Sequence, residues 1–114
     1  MKDFTDDQVL EQIKASVAAE NMLNLDNFNH KNEADMLWAM GRYIERNSKK
    51  VAKILFPWRP KGYVRATKDL GRYAENKATA MRCRLPGGTG VVAAQGYELI
   101  CDQIFEKLPP FARW

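Results

Sequence analysis

Along the 114-residue chain, apolar residues return every three or four positions, and no stretch alternates convincingly between polar and apolar. That period predicts helices. Val9, Leu10, Ile13 and Val17 define a first helix over about residues 6–20. Thr5-Asp6-Asp7-Gln8 opens it in the form of a capping box, with Thr5 as N-cap and Gln8 reaching back from the third helical position. A second stripe, Leu37, Met40, Ile44, Val51 and Leu55, keeps to one face from near Asn32 to Phe56-Pro57, where proline disfavours helix in the residue before it. Glu33 and Asp35 suit the positive end of that helix. Ser48 interrupts the stripe. The segment is therefore read as one helix of about 24 residues, roughly 36 Å long, with a break at Asn47-Ser48 as the alternative.

Leu70, Ala74, Ala78, Met81 and Leu85 form the stripe of a third helix, about residues 64–85. Its two alanines, with Gly71 at the stripe's edge, predict close approach of a neighbouring helix. LPGGTG breaks the chain, and a fourth helix follows over about residues 91–108 with Ala93, Tyr97, Ile100, Cys101, Ile104 and Leu108 on a wide face. Pro109-Pro110 ends it, and the two aromatics of the FARW tail are expected to dock on the bundle. LNLDNFNHKN is rich in Asn and Asp, which compete locally for backbone hydrogen bonds and favour turns. No internal repeat, low-complexity tract or linker is read. The predicted architecture is a single all-α domain, residues 1–114: a bundle of about four helices with antiparallel neighbours, the last two forming the most regular hairpin. The segments YAENKATAMRCRL and AQGYELICDQIFEKLP look like the helical hairpins of small bacterial or phage open reading frames, a resemblance that carries no function with it.

Composition agrees with a folded domain. Apolar residues at 46% and charged residues at 28% are globular values, and a chain of this length buries roughly two-thirds of its unfolded surface. The acidic start MKDFTDDQV lacks the apolar core of a signal peptide, and no apolar run approaches the roughly 20 residues that span a bilayer. The expectation is a cytoplasmic protein whose two cysteines are free thiols.

Charge changes the picture more. The net +4 is unevenly placed: residues 1–41 carry three Lys/Arg against eight Asp/Glu, whereas residues 42–84 carry thirteen against three. On a helical wheel Arg42, Arg46, Lys49, Lys50 and Lys53 fall opposite the apolar stripe of the second helix, and Arg65, Lys68 and Arg72 do so on the third. Arg59 and Lys61 lie between them, interleaved with Trp58 and Tyr63. A solvated helix face predicts mixed signs with partners one turn away. Here Glu45 is placed to pair with Lys49, and Asp69 with Arg65 or Arg72, while most of the cations lack an acidic helical neighbour.

These ten cations are the candidate nucleic-acid-binding residues, because phosphate contacts need only cations at reachable spacing. The sequence thus points first to a small non-catalytic accessory protein that binds nucleic acid through a basic helical surface. The alternative is a helical protein-interaction module with no nucleic-acid role, whose basic face meets an acidic protein or the chain's own acidic N-terminal segment. Self-association into a homodimer is a further expectation, with Leu99, off the main stripe of the fourth helix, as candidate contact.

Other chemistry is weaker. Arg82 and Arg84 precede a glycine-rich turn into a helix N-terminus that Thr89 is placed to cap, so these three form a minor anion-binding candidate. The Walker pattern is absent, since no Gly-Lys-Ser/Thr follows. Cys83 and Cys101 are out of disulfide register in an antiparallel hairpin, Cys101 lying opposite about residue 75. His30 stands alone in a loop without a metal-ligand or nucleophile partner. Glu75, Glu98 and Asp102 are placed to approach one another across the last hairpin, but read as surface charges, because no ExxE or ExxH pattern accompanies them. No catalytic residue, metal site or cofactor is read.

Overall fold

The computed structural model describes residues 4–19, 33–84 and 90–112. Among these residues the chain is all α-helical, with five α-helices and no strand: α1 (Asp6–Ala18), α2 (Glu33–Arg46), α3 (Ser48–Leu55), α4 (Val64–Arg84) and α5 (Val91–Lys107). Short 3-10 turns, Pro60–Tyr63 and Pro110–Ala112, flank α4 on its N-terminal side and follow α5.

The start of α1 forms as its sequence dictates. The Thr5 amide donates to Gln8 Oε1 at 3.0 Å and the Gln8 amide donates to Thr5 Oγ1 at 3.2 Å, so both halves of the capping box are made. Val9 and Ile13 carry its buried face. The stripe of α2 is buried throughout, with Leu37, Met40 and Ile44 fully enclosed, and Val51 and Leu55 of α3 continue the same core.

The expectation of four helices, the second about 24 residues long, is corrected at Asn47. Its backbone leaves helical geometry (φ −118°, ψ 38°), dividing the segment into α2 and α3. The side chain adds a local bond at the break: Asn47 Nδ2 donates to the Tyr43 carbonyl at 3.1 Å, the oxygen that also accepts the Asn47 amide at 2.9 Å. The break at Asn47-Ser48 is the alternative that the sequence offered.

α4 lies between α2 and α5 and runs antiparallel to both. Gly41 and Glu45 of α2 lie against Glu75 and Gly71 of α4, and Tyr73 and Arg84 of α4 lie against Cys101 and Glu98 of α5. The most extensive helix pairing is α2 on α4, which are not sequence neighbours, and α4 on α5 follows it. The face of α5 also differs from expectation. Ala94 and Cys101 are its buried residues, with Leu108 buried just beyond its end, while Ile100, placed on the inner face by the sequence, is exposed. Leu99 is exposed, as expected. Apolar residues occur all round this helix, so periodicity alone picks no single face.

Candidate functional site

The site begins with two glycines. Gly41 and Gly71 meet where α2 crosses α4, and a Cβ built on either would lie 2.7 Å from the other's carbonyl oxygen. It would also lie 2.7 Å from a backbone nitrogen, that of Glu75 for Gly41 and that of Glu45 for Gly71. No larger residue fits without the helices moving apart. The contact is reciprocal: each glycine rests against the glutamate one turn beyond the other.

This closeness brings together Glu45 and Glu75. The two carboxyl groups line one depression, near enough that each acts on the other's hold on a proton. Burial pushes the Glu75 carboxyl up to about 7, and the hydrogen bond and charge of Glu45 push the same way, against Arg42 and Arg46. Glu45 is held below the usual carboxylate range, first by the hydrogen bond from Glu75 and then by Arg72, against the opposing effect of burial. Arg72 Nε donates to Glu45 Oε1 at 3.4 Å. The expected pairing of Glu45 with Lys49 is thus replaced by a contact across the helix crossing. Likewise Glu75, expected to face α5, faces α2.

Around the carboxyl pair lies a depression of about 490 Å³, lined by Arg42, Arg46 and Lys68 together with Glu45 and Glu75. Four of the ten candidate cations, Arg42, Arg46, Lys68 and Arg72, therefore gather at one place, two from each helix. Arg42 is half-buried, its guanidinium stacked 4.7 Å from the centroid of the Trp38 ring. Lys49, Lys50 and Lys53 lie exposed on α3, Arg59 and Lys61 are exposed on the connection to α4, and Arg65 is exposed on its first turn. Among the described residues, none of these six is seen in an ion pair.

The PWRPKGY connection is built on Phe56. Tyr63 packs on the Phe56 ring at 4.9 Å, and Trp58 meets it edge-on at 5.7 Å while remaining 63% exposed. Of the two loop aromatics, Tyr63 is a packing anchor and Trp58 presents its surface to solvent.

Arg82 and Arg84 are both engaged. Arg82 pairs with Asp35 of α2 and lies over the Trp38 ring, 5.4 Å from its centroid. Arg84 pairs with Glu98 of α5. Gly90, with φ 102°, stands at the start of α5 and offers no side chain to cap it. Thr89 and His30 lie outside the described residues, as do Asn32 and Leu85. Cys83 and Cys101 are free thiols. Cys101 is buried beside Tyr73, donating to its carbonyl at 3.8 Å, and burial pushes its thiol up to about 11. It borders a second depression of about 300 Å³ between α4 and α5, together with Lys77, Met81, Glu98 and Asp102. Among the described residues no group of three or more His, Cys, Asp or Glu is placed to hold a metal ion. No helix among them is long and apolar enough to cross a membrane.

Comparison with protein-family models, with curated proteins and with solved structures found no match for the chain.

The residues that sequence reasoning missed are Glu45 and Glu75, and a signal for them existed. Gly41-Arg42-Tyr43-Ile44-Glu45 recurs as Gly71-Arg72-Tyr73-Ala74-Glu75. The reading that the chain holds no internal repeat is corrected on this short scale. The two copies are the segments that cross, each glycine against the other copy's glutamate backbone, with Arg72 on Glu45 and Arg42 facing Glu75. Four residues of a five-residue segment, used twice, make a nearly two-fold arrangement from helices of otherwise different sequence.

Proposed function

We propose that this is a small accessory protein that binds the phosphate backbone of nucleic acid, without catalysing a reaction on it. The surface extends from the C-terminal half of α2 over α3 and the Pro60–Tyr63 turn to the first half of α4. One observation supports this reading above the others: cations from two helices, Arg42 and Arg46 with Lys68 and Arg72, converge at the α2–α4 crossing instead of facing solvent separately. Six further cations adjoin it along α3 and the turn. Phosphates spaced along a strand suit such an extended array, and Trp58 offers an exposed ring for an unpaired base.

The test is titration of labelled single- and double-stranded DNA and RNA at two salt concentrations. Binding through phosphates makes log K fall with log salt, by about 0.9 per contact on duplex DNA. Absence of binding at low salt ends this reading.

Self-association is a second reading, favoured by α5. Val92 and Leu99 are 84% and 65% exposed, and Gly96 between them has nothing within 4 Å of its Cβ position. A glycine flanked by apolar residues admits a second copy of the helix at close range, as Gly41 and Gly71 do within the chain. Light scattering measures it.

A further inference from the structure

We propose that the depression at the α2–α4 crossing, where Arg42, Arg46 and Lys68 stand beside Glu45 and Glu75, is a phosphate-binding site whose affinity is set by the charge on the two glutamates. The inference deepens the phosphate-binding reading above and rests on it for the class of ligand.

The argument starts from the crossing. Gly41 and Gly71 let the two backbones touch, and the glutamates one turn further on line the same depression. Two carboxylates in hydrogen-bond contact repel strongly when both are ionised, and a shared proton relieves that repulsion. The charged groups that face the pair are Arg42 and Arg46 from α2 and Lys68 and Arg72 from α4. With the proton in place, four cations stand against one carboxylate. Without it they stand against two, and the added charge lies at the floor of the depression.

The proton also changes what the floor offers. While the proton lies between the two carboxyls they are satisfied by each other, and Arg42, Arg46 and Lys68 are left to an oxyanion. After deprotonation both glutamates only accept, so they compete for the cations that the oxyanion needs. Burial of Glu75 places this change near neutral pH. One unit charge about 4 Å from a bound dianion, in a water-like dielectric, weakens binding about thirtyfold once the glutamate is fully ionised.

Sulfate tests the site, because it remains a dianion from pH 6 to pH 8 and carries no titration of its own. Backbone amide shifts of Gly41, Glu45, Gly71 and Glu75 are followed during sulfate addition at constant ionic strength, at both pH values. The expected result is saturable binding at pH 6 that weakens about five- to tenfold at pH 8, where roughly a tenth of Glu75 keeps its proton. In Glu75→Gln, which keeps the shape and fixes the neutral form, affinity is expected to be equal at the two values. A carboxyl carbon titrating near pH 7, lost in Glu75→Gln, identifies the titrating glutamate directly.

No saturable shift at pH 6, equal wild-type affinity at both values, or no glutamate carboxyl titrating above about pH 6 overturns the proposal. A labelled oligonucleotide is measured in parallel. Gated sulfate binding without oligonucleotide binding supports the site and removes the nucleic-acid reading. Oligonucleotide binding without sulfate binding does the reverse.

Discussion

Gly41 and Gly71 are in mutual backbone contact, each leaving 2.7 Å between a would-be Cβ and the other's carbonyl oxygen. This one contact sets the spacing of α2 and α4 and decides which side chains meet beside it. In an ordinary helix interior, alanine is preferred to glycine by about 1 kcal/mol. At these two positions the neighbour is rigid backbone, so the clash outweighs the propensity. Gly41→Ala and Gly71→Ala are each expected to lower stability by about 1–3 kcal/mol in urea denaturation. Gly96→Ala, where nothing lies within 4 Å, is expected to raise it by about 0.5–1 kcal/mol.

Stability is expected to depend on pH through Glu75. Its carboxyl stands at about 7 in the folded chain against an ordinary value of 4.5, so between these values the folded state binds more protons than the unfolded state. The contribution is fully present below about pH 4.5 and is lost as pH rises towards 7. Glu45, held low, acts in the opposite sense: its contribution is present above 4.5 and is lost as pH falls through its lowered value. Thermal melts should therefore show the melting temperature declining from pH 5 to pH 7. Glu75→Gln should remove most of that decline, and an unchanged slope in this variant would place its source elsewhere.

Charge reversal tests the wider surface. Arg46, Lys50 and Lys53 are exposed, and none of them packs in the core. Replacing all three by Glu is expected to abolish oligonucleotide binding at low salt while circular dichroism keeps its helical signal. If the variant unfolds, those residues are structural and the basic face is not free to bind.

Arg82 serves packing between helices that are distant in sequence. It pairs with Asp35 and lies over Trp38, which also stacks with Arg42. Arg82→Lys retains the charge but loses the planar group, and is expected to cost about 1 kcal/mol by denaturant titration. A loss indistinguishable from zero would mean that the stack contributes nothing.

Self-association is read by light scattering over a concentration series. Leu99→Lys is expected to shift any dimer to monomer without lowering the monomer's melting temperature, because Leu99 is exposed.

What the sequence by itself determined is local. The Thr5–Gln8 capping box formed because its partners are three residues apart, and the stripes Leu37–Met40–Ile44 and Leu70–Ala74–Ala78 formed because a helix places such positions on one side. The all-α class followed from them. Asn47 lay at the edge of legibility: it still joins the helical hydrogen bonds on both sides, and only its own backbone angles mark the break. The inner face of α5 was not legible, since Val92, Leu99 and Ile100 are as apolar as the residues that turned inward.

Tertiary structure alone decided the site. Glu45 read as a partner for Lys49 one turn away, and Glu75 as a surface charge on the last hairpin. Their meeting depends on α2 crossing α4 at Gly41 and Gly71, a contact between segments thirty residues apart in the chain (41 and 71). The repeated Gly-Arg-Tyr-x-Glu marks both segments, but a repeat carries no distance. Only the packed backbones bring two like charges to one depression, and burial there pushes the Glu75 carboxyl up to about 7.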